Sequence, residues 1–443
     1  MDNSRKIVVD LLEQVLNDGA YSNIVLSSKL NKTDLNDKDK ALVTEILYGT
    51  LKYKYSIDKI LNYYLKNGFD GVEPLVINIL RISIYQVKYL DKIPAFAVVN
   101  EAVELTKKYV SIGASKLING VLRNYLRGKD INYCNTKNKI ENLCYKYSFA
   151  KWMVKLFIRQ YGEEVVEQIL SGLNEIPNIT FRVNTLKINT ENALEELINL
   201  GYDASKGYIC SEAIVISKGK SIEKNPLFVE GKITVQDESA MLVAKAMDIT
   251  AGLRILDLCS APGGKTTHIA ELLNNTGRID AYDIYKHKLL LVKSNAERLG
   301  ITNLYCSEFD ATIFNENLEN AGDRVLIDVP CSGLGIIRKK PEIKWTKSKE
   351  GLKDIIEIQR SIMQNASRYV KVGGKLLYST CTLNKEENEG NIEWFLENFT
   401  GYKVEPISFG EYENLIYNID GSITIIPNQW MDGFFMAKFI RIE

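Results

Sequence analysis

The sequence predicts a multi-domain protein: an all-α N-terminal domain, a small α+β middle domain and a C-terminal α/β domain built on a doubly wound parallel sheet. A chain of 443 residues is long enough for three domains of roughly 150 residues each. Apolar residues recur with helical spacing through the first part of the chain, whereas strand and helix patterns alternate in the last part. We place the domain limits at residues 1–130, 131–235 and 236–443.

The composition excludes several classes of protein. Lys plus Arg and Asp plus Glu both number 56, so the overall charge does not indicate nucleic-acid binding. Seven cysteines without a Cys-x-x-Cys pair, and only two histidines, argue against a disulfide framework and against a metal site. The sequence contains no signal peptide and no apolar run of membrane-spanning length. We therefore expect a cytoplasmic protein that uses neither a metal nor a membrane.

The N-terminal domain is predicted to be a helical bundle. Apolar residues keep helical spacing in five stretches, which are Val8–Val15, Asp37–Leu65, Leu75–Leu90, Ala95–Tyr109 and Ile112–Leu126. Many lysines follow the polar faces of these stretches, but a lysine-rich helical face is usually only a solvated surface. The pattern alone therefore leaves open whether the bundle binds RNA or only packs against its neighbour.

The middle domain combines helix and strand patterns after a connector rich in Asn and Lys, which includes Asn132, Asn135, Asn138 and Asn142. The predicted helices are Lys151–Gln160, Glu163–Gly172 and Thr190–Leu200. The predicted strands are Ile179–Asn184, Tyr208–Cys210, Ala213–Ile216 and Lys232–Val235.

The C-terminal domain alternates strands with helices, as expected of a parallel sheet covered by helices. The predicted strands are Arg254–Leu258, Arg278–Ile284, Asn303–Cys306, Arg324–Asp328 and Lys375–Ser379. The predicted helices are Lys265–Leu273, Lys286–Leu299 and Leu352–Val370, and the chain ends in a predicted hairpin of Ser422–Pro427 and Gly433–Ile440.

The turn after the first of these strands is a candidate ligand loop. It contains Cys259, Ser260, Ala261, Pro262, Gly263 and Gly264, and Lys265 follows at the start of the helix. Such a strand–turn–helix unit presents a helix N-terminus to a ligand, although an ordinary turn has the same outline. It is not a Walker A loop, because Cys259 stands where that motif needs glycine, and there is no Gly-x-Gly-x-x-Gly.

Carboxylates and thiols follow all five strands of the predicted sheet. Reading only the carboxyl ends gives Cys259, Asp283, Asp310, Asp328 with Cys331, and Cys381. Each alone has a structural explanation, since an Asp can cap a turn and a free Cys is usually a small buried hydrophobe. Ligands of open α/β sheets bind at this edge, so the joint occurrence predicts a site.

The position of each group suggests its role. Asp283 suits a ribose diol, because a carboxylate accepts both hydroxyl hydrogen bonds, and Asp310 suits an adenine edge. Lys265 at a helix N-terminus suits a carboxylate. A ribose, an adenine and a carboxylate together describe S-adenosylmethionine.

The paired thiols Cys331 and Cys381 allow either redox chemistry or covalent catalysis. Redox pairs usually use Cys-x-x-Cys, whereas methylation of cytosine C5 needs a thiolate that first adds to C6.

The chain resembles a known family along its whole length. Five segments resemble motifs of the Sun/Nol1/Nop2 RNA cytosine-C5 methyltransferases, namely Asp257-Leu-Cys-Ser-Ala-Pro-Gly-Gly-Lys265, Asp328-Val-Pro-Cys-Ser-Gly333, Ser379-Thr-Cys-Thr382, Glu387-Asn-Glu389 and Asp432-Gly-Phe-Phe435. Segments of the N-terminal domain resemble NusB-type RNA-binding domains, among them Asp37-Lys-Asp-Lys, Ile84-Tyr-Gln, Asn100-Glu-Ala-Val and Ile118-Asn-Gly-Val. The combination is similar to the methyltransferase B type that acts on small-subunit ribosomal RNA.

The resemblance implies a Rossmann-like class I methyltransferase domain and a role for each site residue. Cys381 is then the nucleophile, Cys331 assists proton removal and product release, Asp328 holds the cytosine edge, and Lys265 completes the catalytic set. The implied cofactor pocket is formed by Cys259, Ser260, Ala261, Pro262, Gly263, Gly264, Lys265, Asp283, Asp310 and Asp328. Separately, Asn384 and Glu387 have the spacing of a helix capping box, which would set Cys381 just before a helix N-terminus, where a thiolate is favoured.

We therefore expect S-adenosylmethionine-dependent methylation of cytosine C5 in 16S ribosomal RNA through a covalent cysteine–C6 intermediate, by a monomer. The same chemistry on transfer RNA is one alternative. A non-catalytic RNA-binding assembly factor is another, and the presence of Cys331, Cys381 and Lys265 argues against it.

Overall fold

The computed structural model describes residues 4–128, 131–134, 136–218 and 222–443. Contacts within these residues divide the chain into two compact units. The first comprises the described residues up to Leu170 together with Ile337–Ser348, and the second comprises Ser171–Ile336 and Lys349–Glu443. The domain limits expected from the sequence remain predictions, because compactness by itself does not identify separate folding domains.

The first unit is helical, as predicted. Its helices are α1 (Ser4–Leu16), α2 (Ser22–Leu30), α3 (Asp37–Lys52), α4 (Lys54–Tyr64), α5 (Pro74–Tyr89), α6 (Ala95–Tyr109), α7 (Ile112–Arg127), α8 (Lys139–Tyr147) and α9 (Lys151–Gly172). Helix α9 runs just past the unit's limit and is broken at Gly162, between the two helices that the sequence predicts there. Their apolar faces form one core that includes Leu12, Ile46 and Leu80. Polar caps set several starts, since Asn36 accepts from the Asp39 amide and Ser111 from the Ala114 amide.

Three details of this unit differ from the sequence prediction. Helix α2 was not predicted, and the pattern over Asp37–Leu65 is two helices that part at Tyr53. Most of the predicted connector is wrong, because Asn138 caps α8 by accepting from the Glu141 amide. Asn142 therefore lies within a helix, while Asn135 lies outside the described residues.

The second unit begins with a small antiparallel sheet. It contains β1 (Ile179–Val183), α10 (Thr190–Asn199), β2 (Asp203–Lys206), β3 (Ala213–Lys218), α11 (Pro226–Val229) and β4 (Ile233–Val235), with strand order β2-β3-β1-β4. The strand predicted at Tyr208–Cys210 is wrong. The amides of these residues instead donate to the buried carboxylate of Glu238, at 2.7 to 2.8 Å, and so are not available to a strand partner.

The large sheet holds the predicted site. Its first half contains α12 (Glu238–Ala246), β5 (Arg254–Asp257), α13 (Gly264–Leu272), β6 (Arg278–Asp283), α14 (Lys286–Leu299), β7 (Leu304–Glu308) and β8 (Gly322–Asp328). The chain then enters α15 (Ile343–Thr346), which belongs to the helical unit, before returning to the sheet.

Its second half contains α16 (Gly351–Tyr369), β9 (Val370–Thr380), α17 (Glu389–Asn398), β10 (Tyr402–Val404), β11 (Leu415–Tyr417), β12 (Ile423–Ile425) and β13 (Phe434–Arg441). Strands β9-β8-β5-β6-β7 are adjacent and parallel, which confirms the Rossmann-like arrangement. The predicted terminal hairpin, β12 and β13, extends this sheet in antiparallel fashion, so the sheet as a whole is mixed.

The segment Ile337–Ser348, which we call the strap, packs with the helical unit although its sequence neighbours belong to the sheet. Glu342 accepts from the amide and hydroxyl of Ser22, at 3.1 and 2.8 Å. Lys344 Nζ donates to the carbonyls of Lys52 and Tyr147, at 3.1 and 3.3 Å. The Trp345 indole donates to the Leu51 carbonyl at 2.7 Å. Buried polar groups of the strap are thus satisfied by the helical unit.

The capping box predicted at Asn384 and Glu387 is wrong. Helix α17 begins at Glu389, five residues after Asn384. The Glu387 side chain is fully buried and accepts from the main chain of Ser332, so it is committed to a contact distant in sequence. In the described part of the chain, no helix has the length and hydropathy needed to cross a membrane.

Candidate active site

The loop between β5 and α13 has a backbone shape that requires glycine at one position. Gly263 has φ +100°, in the left-handed region, and a Cβ there would lie 3.1 Å from Val292. A Cβ at Gly264 would meet only ordinary contacts. The loop is held by the Ser260 amide, which donates to the Tyr282 carbonyl at 2.8 Å. The loop therefore joins the ends of two adjacent strands, β5 and β6.

Asp257, the last residue of β5, is a buried acid beneath this loop. It accepts from the Thr266 hydroxyl at 2.7 Å and from the Cys259 amide at 3.4 Å. Burial raises the pKa of Asp257 to about 7, despite the opposing effect of the Thr266 hydrogen bond, and nearby Asp328 raises it further. The Asp257 carboxyl is thus protonated over much of the acidic range.

A cleft of about 240 Å³ opens at the carboxyl ends of the parallel strands. Predicted site residues that line it are Cys259, Ala261, Asp283, Asp310 and Asp328. The rest of its wall is largely apolar and includes Ile284, Tyr285, Phe309, Pro330 and Ile362. Ser260, Pro262, Gly263, Gly264 and Lys265 are not part of its lining. The structure therefore brings three of the predicted carboxylates to one cavity.

Asp283 and Asp310 combine a local role with a place in the cleft. Asp283 accepts from the amides of Tyr285 at 3.0 Å and Ala261 at 3.3 Å. Asp310 Oδ1 accepts from the amide and the hydroxyl of Thr312, at 2.9 and 2.7 Å. Both aspartates therefore cap turns, which is the structural alternative that the sequence left open, and both also line the cavity.

An ion pair joins the ligand loop to the end of β8. Lys265 Nζ lies 2.6 Å from Asp328 Oδ2, and the Ser379 hydroxyl donates to Asp328 Oδ1 at 2.7 Å. Burial lowers the pKa of Lys265, but the Asp328 carboxylate more than offsets burial, so the pKa is raised overall. The ammonium also lies 5.1 Å from the centre of the Phe434 ring. Lys265 is thus held as a cation beside the cleft.

The two predicted catalytic thiols are adjacent. Cys331 follows β8 and Cys381 follows β9, and their sulfur atoms lie 3.2 Å apart without a disulfide bond. The hydrogen bond with Cys381 raises the pKa of Cys331 well above its usual range, and burial raises it further. Cys331 therefore favours its protonated form, and either sulfur can donate the hydrogen bond that joins the pair.

Cys259 is a different kind of thiol. Burial raises its pKa well above the ordinary value, and four surrounding carboxylates, those of Asp257, Asp328, Asp283 and Asp310, raise it further. A thiol in such surroundings stays protonated and is a poor nucleophile.

Comparisons with known proteins decide the family. Residues 244–440 match the model described as 16S rRNA methyltransferase RsmB/F. Residues 2–127 match the NusB family, and residues 149–223 match the ferredoxin-like domain of RsmF/B-like methyltransferases. The chain is 36% identical to the probable ribosomal RNA small subunit methyltransferase B of Bacillus subtilis, over 98% of both chains. This chain belongs to the RsmB/F family.

Two further relatives agree with that assignment. The probable ribosomal RNA small subunit methyltransferase B of Synechocystis is 32% identical over 99% of both chains. The crystal structure of the protein PH0851 has a TM-score of 0.83 and 27% identity, and covers 100% of this chain and 99% of that one. As an RsmB/F-family enzyme the chain is a ribosomal RNA methyltransferase, and its cofactor is S-adenosylmethionine, as predicted.

The residues at the sheet edge suit this cofactor. The cleft combines two carboxylates on adjacent strands with apolar walls, as a nucleoside with a ribose diol requires. The Ser260 hydroxyl is buried and has no hydrogen-bond partner within the part of the chain that the structure describes. A buried polar atom of this kind is commonly satisfied by a ligand or by water.

Arg182 on β1, which the sequence did not predict as a site residue, joins the small sheet to the ligand loop of this RsmB/F-family enzyme. Its fully buried guanidinium donates to both carboxylate oxygens of Glu271, to Thr267 and, at 2.7 Å, to the Gly264 carbonyl. An arginine in a strand with three apolar residues was the available signal, because a buried arginine needs partners. The sequence could not identify those partners, which lie more than 80 residues away.

Proposed function

We propose that this enzyme methylates C5 of a cytosine in 16S ribosomal RNA through a covalent bond between Cys381 and C6 of the base. The single observation that carries this proposal is the pair of free thiols, 3.2 Å apart, at the ends of neighbouring strands beside the cleft. The ligand loop and the Lys265–Asp328 pair lie at the same sheet edge. The proposal adds the site of methylation and the mechanism to the activity of the family.

The chemistry explains why a thiol is needed. C5 of cytosine is too weak a nucleophile to take a methyl group directly. When the Cys381 thiolate adds to C6, the electron pair of the C5–C6 double bond moves to C5, which becomes nucleophilic. S-adenosylmethionine supplies the electrophilic methyl group when bound. The raised pKa of Cys331 disfavours its thiolate, which supports Cys381 as the attacking sulfur.

Cys331 has the second role in this proposal. After methyl transfer the proton on C5 must leave before the enzyme can be released. Cys331 first gives its own proton to solvent and then accepts the C5 proton, and the electrons of the C5–H bond re-form the C5–C6 double bond. The bond between C6 and the Cys381 sulfur breaks in the same step, which returns the thiolate.

Asp328 and Lys265 are proposed to hold the base and to balance charge. Asp328 would accept from the amino edge of cytosine, since a carboxylate is an acceptor of such hydrogen bonds. Ser379 and Lys265 keep its two oxygens in place. The proposed cofactor pocket comprises Cys259, Ser260, Ala261, Pro262, Gly263, Gly264, Lys265, Asp283, Asp310 and Asp328.

The NusB-like region is proposed to contact the ribosomal RNA. On the exposed side of α7, Lys116, Arg123 and Arg127 are spaced by seven and four residues, so they lie on one face of the helix. Three cations along one helix suit the phosphates of an RNA strand.

The two thiols provide the test, because the mechanism makes them unequal. With purified small-subunit RNA, Cys381→Ala is expected to lose methyl transfer by several orders of magnitude and to form no covalent adduct. Cys331→Ala is expected to methylate and then stall as a protein–RNA complex that survives denaturing electrophoresis. Bisulfite mapping of the product identifies the modified cytosine.

Three outcomes would contradict the proposal. A stalled adduct with Cys381→Ala alone would exchange the two roles. Activity retained in both variants, without an adduct in either, would exclude covalent catalysis. Methylation of transfer RNA but not of small-subunit RNA would assign the same chemistry to the other substrate class.

A further inference from the structure

We propose that two consecutive buried residues, Glu387 and Asn388, position the two thiols separately: Glu387 fixes the loop of Cys331, and Asn388 fixes the turn of Cys381. This inference rests on the proposed function for the meaning of the two thiols. Both side chains are fully buried in the turn before α17. Neither contacts a thiol directly in the hydrogen bonds described below.

Glu387 holds the main chain immediately after Cys331. One carboxylate oxygen accepts from the Ser332 amide at 2.9 Å and from Gln359 Nε2 at 3.0 Å. The other accepts from the Ser332 hydroxyl at 2.5 Å and from Asn384 Nδ2 at 3.1 Å. Gln359 Nε2 also donates to the Pro330 carbonyl at 3.0 Å, so the chain is fixed on both sides of Cys331.

Asn388 holds the main chain on both sides of Cys381. Its Nδ2 donates to the Thr382 carbonyl at 3.0 Å, and its Oδ1 accepts from the Thr380 hydroxyl at 2.7 Å. Both polar atoms of the amide are thus used by the two neighbours of the nucleophile. An amide is required, because the position needs one donor and one acceptor.

The two arrangements meet at two hydrogen bonds, yet they remain separable. The Ser332 and Thr382 hydroxyls lie 2.7 Å apart, and the Gly335 amide donates to the Cys381 carbonyl at 3.0 Å. These bonds set the distance between the thiol loops. The carboxylate of Glu387 serves Ser332, however, while the amide of Asn388 serves Thr380 and Thr382. Different substitutions should therefore displace different thiols.

Glu387→Gln and Asn388→Asp are matched tests, because each exchanges one oxygen for nitrogen or the reverse without changing shape. In Glu387→Gln an NH₂ group replaces one carboxylate oxygen and faces groups that donate to that oxygen in Glu387. The lost hydrogen bonds should loosen the Cys331 loop. Asn388→Asp sets an oxygen against the Thr382 carbonyl, which loosens the Cys381 turn. Glu393→Gln, at an exposed position of α17, is the control.

The expected results differ in kind. Glu387→Gln should methylate small-subunit RNA and then accumulate the covalent adduct, as Cys331→Ala does. Asn388→Asp should form no adduct and lose methyl transfer by about a hundred-fold, the usual effect of a misplacement near 1 Å. Both should bind S-adenosylmethionine as the wild type does and unfold at a similar temperature, and Glu393→Gln should match the wild type throughout.

A second readout does not depend on catalysis. Diamide oxidises two neighbouring thiols to a disulfide while it is itself reduced to the hydrazine, so its rate reports how close Cys331 and Cys381 lie. This rate should fall in Glu387→Gln and in Asn388→Asp, but not in Glu393→Gln. If either first variant fails to fold, Ser332→Ala and Thr380→Val remove the hydroxyls that donate to Glu387 and to Asn388, and should slow the reaction in the same way.

The outcomes separate this proposal from the proposed function. Wild-type disulfide rates in Glu387→Gln and Asn388→Asp would overturn the positioning role. So would a parallel loss of cofactor binding and of thermal stability, which indicates a merely structural role. If the rates fall but Cys331→Ala and Cys381→Ala form no adduct, then covalent catalysis fails while the positioning role stands.

Discussion

Lys265 in the second unit and Lys344 in the helical unit both lie in buried surroundings, but only Lys265 is described beside a carboxylate. Lys265 lies 2.6 Å from the carboxylate of Asp328, and its pKa is raised. Lys344 donates to two main-chain carbonyls and lies 3.8 Å from the centre of the Phe149 ring. Burial lowers the pKa of Lys344 well below its usual range.

The difference shows how the two units use charge. A lysine beside a carboxylate keeps its proton and can serve chemistry, because the pair offsets the desolvation of both ions. A lysine beside dipoles and a ring is held by weaker interactions, so its charge opposes folding. Buried charge is therefore paired with an opposite charge at Lys265 and carries a structural cost at Lys344.

Removing the ammonium at Lys265 should have the largest effect. Lys265→Met leaves the Asp328 carboxylate in place without its cation, and breaking a buried pair commonly costs about 3–5 kcal/mol. Asp328 also loses a hydrogen bond to a charged group, which contributes about 1.5–3 kcal/mol, so we expect methyl transfer to fall by roughly a hundred-fold. Methyl incorporation into small-subunit RNA measures this, with Lys293→Met at an exposed position of α14 as the control. Wild-type activity in Lys265→Met would show that the Lys265 cation does not contribute to methyl transfer.

Asp283 tests whether the cleft carboxylates bind the cofactor. Asp283→Ala should weaken S-adenosylmethionine binding by about ten- to a hundred-fold, because a hydrogen bond to a charged group contributes roughly 1.5–3 kcal/mol. Titration calorimetry measures the affinity, with Glu308→Ala at the exposed end of β7 as the control. An unchanged affinity would leave Asp283 with only its turn-capping role.

The comparison also separates what the sequence could predict from what it could not. Helices with strong apolar periodicity were predicted well, and the bounds of α6 and α14 agree to the residue. The meeting of Cys331 with Cys381 followed from a general property of parallel sheets, since neighbouring strands end at one edge. Local pattern and sheet geometry were sufficient for both.

Contacts made by distant residues could not be predicted in this way. The strap follows the thiol motif in sequence, yet Trp345 is held by Leu51, 294 residues away. Glu387 stands three residues after Asn384, as in a capping box, but its carboxylate is used by Ser332, 55 residues away. In both cases a buried polar group finds its partner in the tertiary structure, which overrides the local signal.

Replacing Lys344 should preserve or increase stability, whereas replacing Lys265 should be harmful. Its pKa is lowered on folding, so the unfolded chain binds more protons, and stability should rise as pH rises toward the ordinary lysine pKa of 10.5. Lys344→Met should lack this rise and should be at least as stable as the wild type at neutral pH. Thermal unfolding followed by circular dichroism, at neutral and at mildly alkaline pH, measures both effects. A less stable variant at each pH would show that the two carbonyl bonds outweigh the cost of burial.

Asp257 extends the comparison to an acid. Its pKa of about 7 in the folded chain exceeds the ordinary 3.8, so the folded chain retains a proton that the unfolded chain loses. Stability should therefore fall as pH rises from 3.8 to 7, and Asp257→Asn should reduce that fall. Thermal midpoints across this range measure the slope of stability against pH. Asp280→Asn is the control, because Asp280 is paired with two arginines. Equal slopes in wild type and Asp257→Asn would mean that the acid is ionised in the folded state.

The smallest effect is expected at the exposed cations of the helical unit, where charge is neither buried nor paired with a catalytic group. Deleting residues 1–130 would be a poor test, because Trp345 and Lys344 of the strap would lose their partners Leu51 and Lys52. Replacing Lys116, Arg123 and Arg127 by Ala keeps the fold, since all three side chains are exposed on α7. For each phosphate that the variant no longer binds, the slope of log affinity against log salt should decrease by about one, while S-adenosylmethionine binding stays unchanged. Filter binding to small-subunit RNA at several salt concentrations gives the slope, and an unchanged slope would make this face of α7 a solvated surface only.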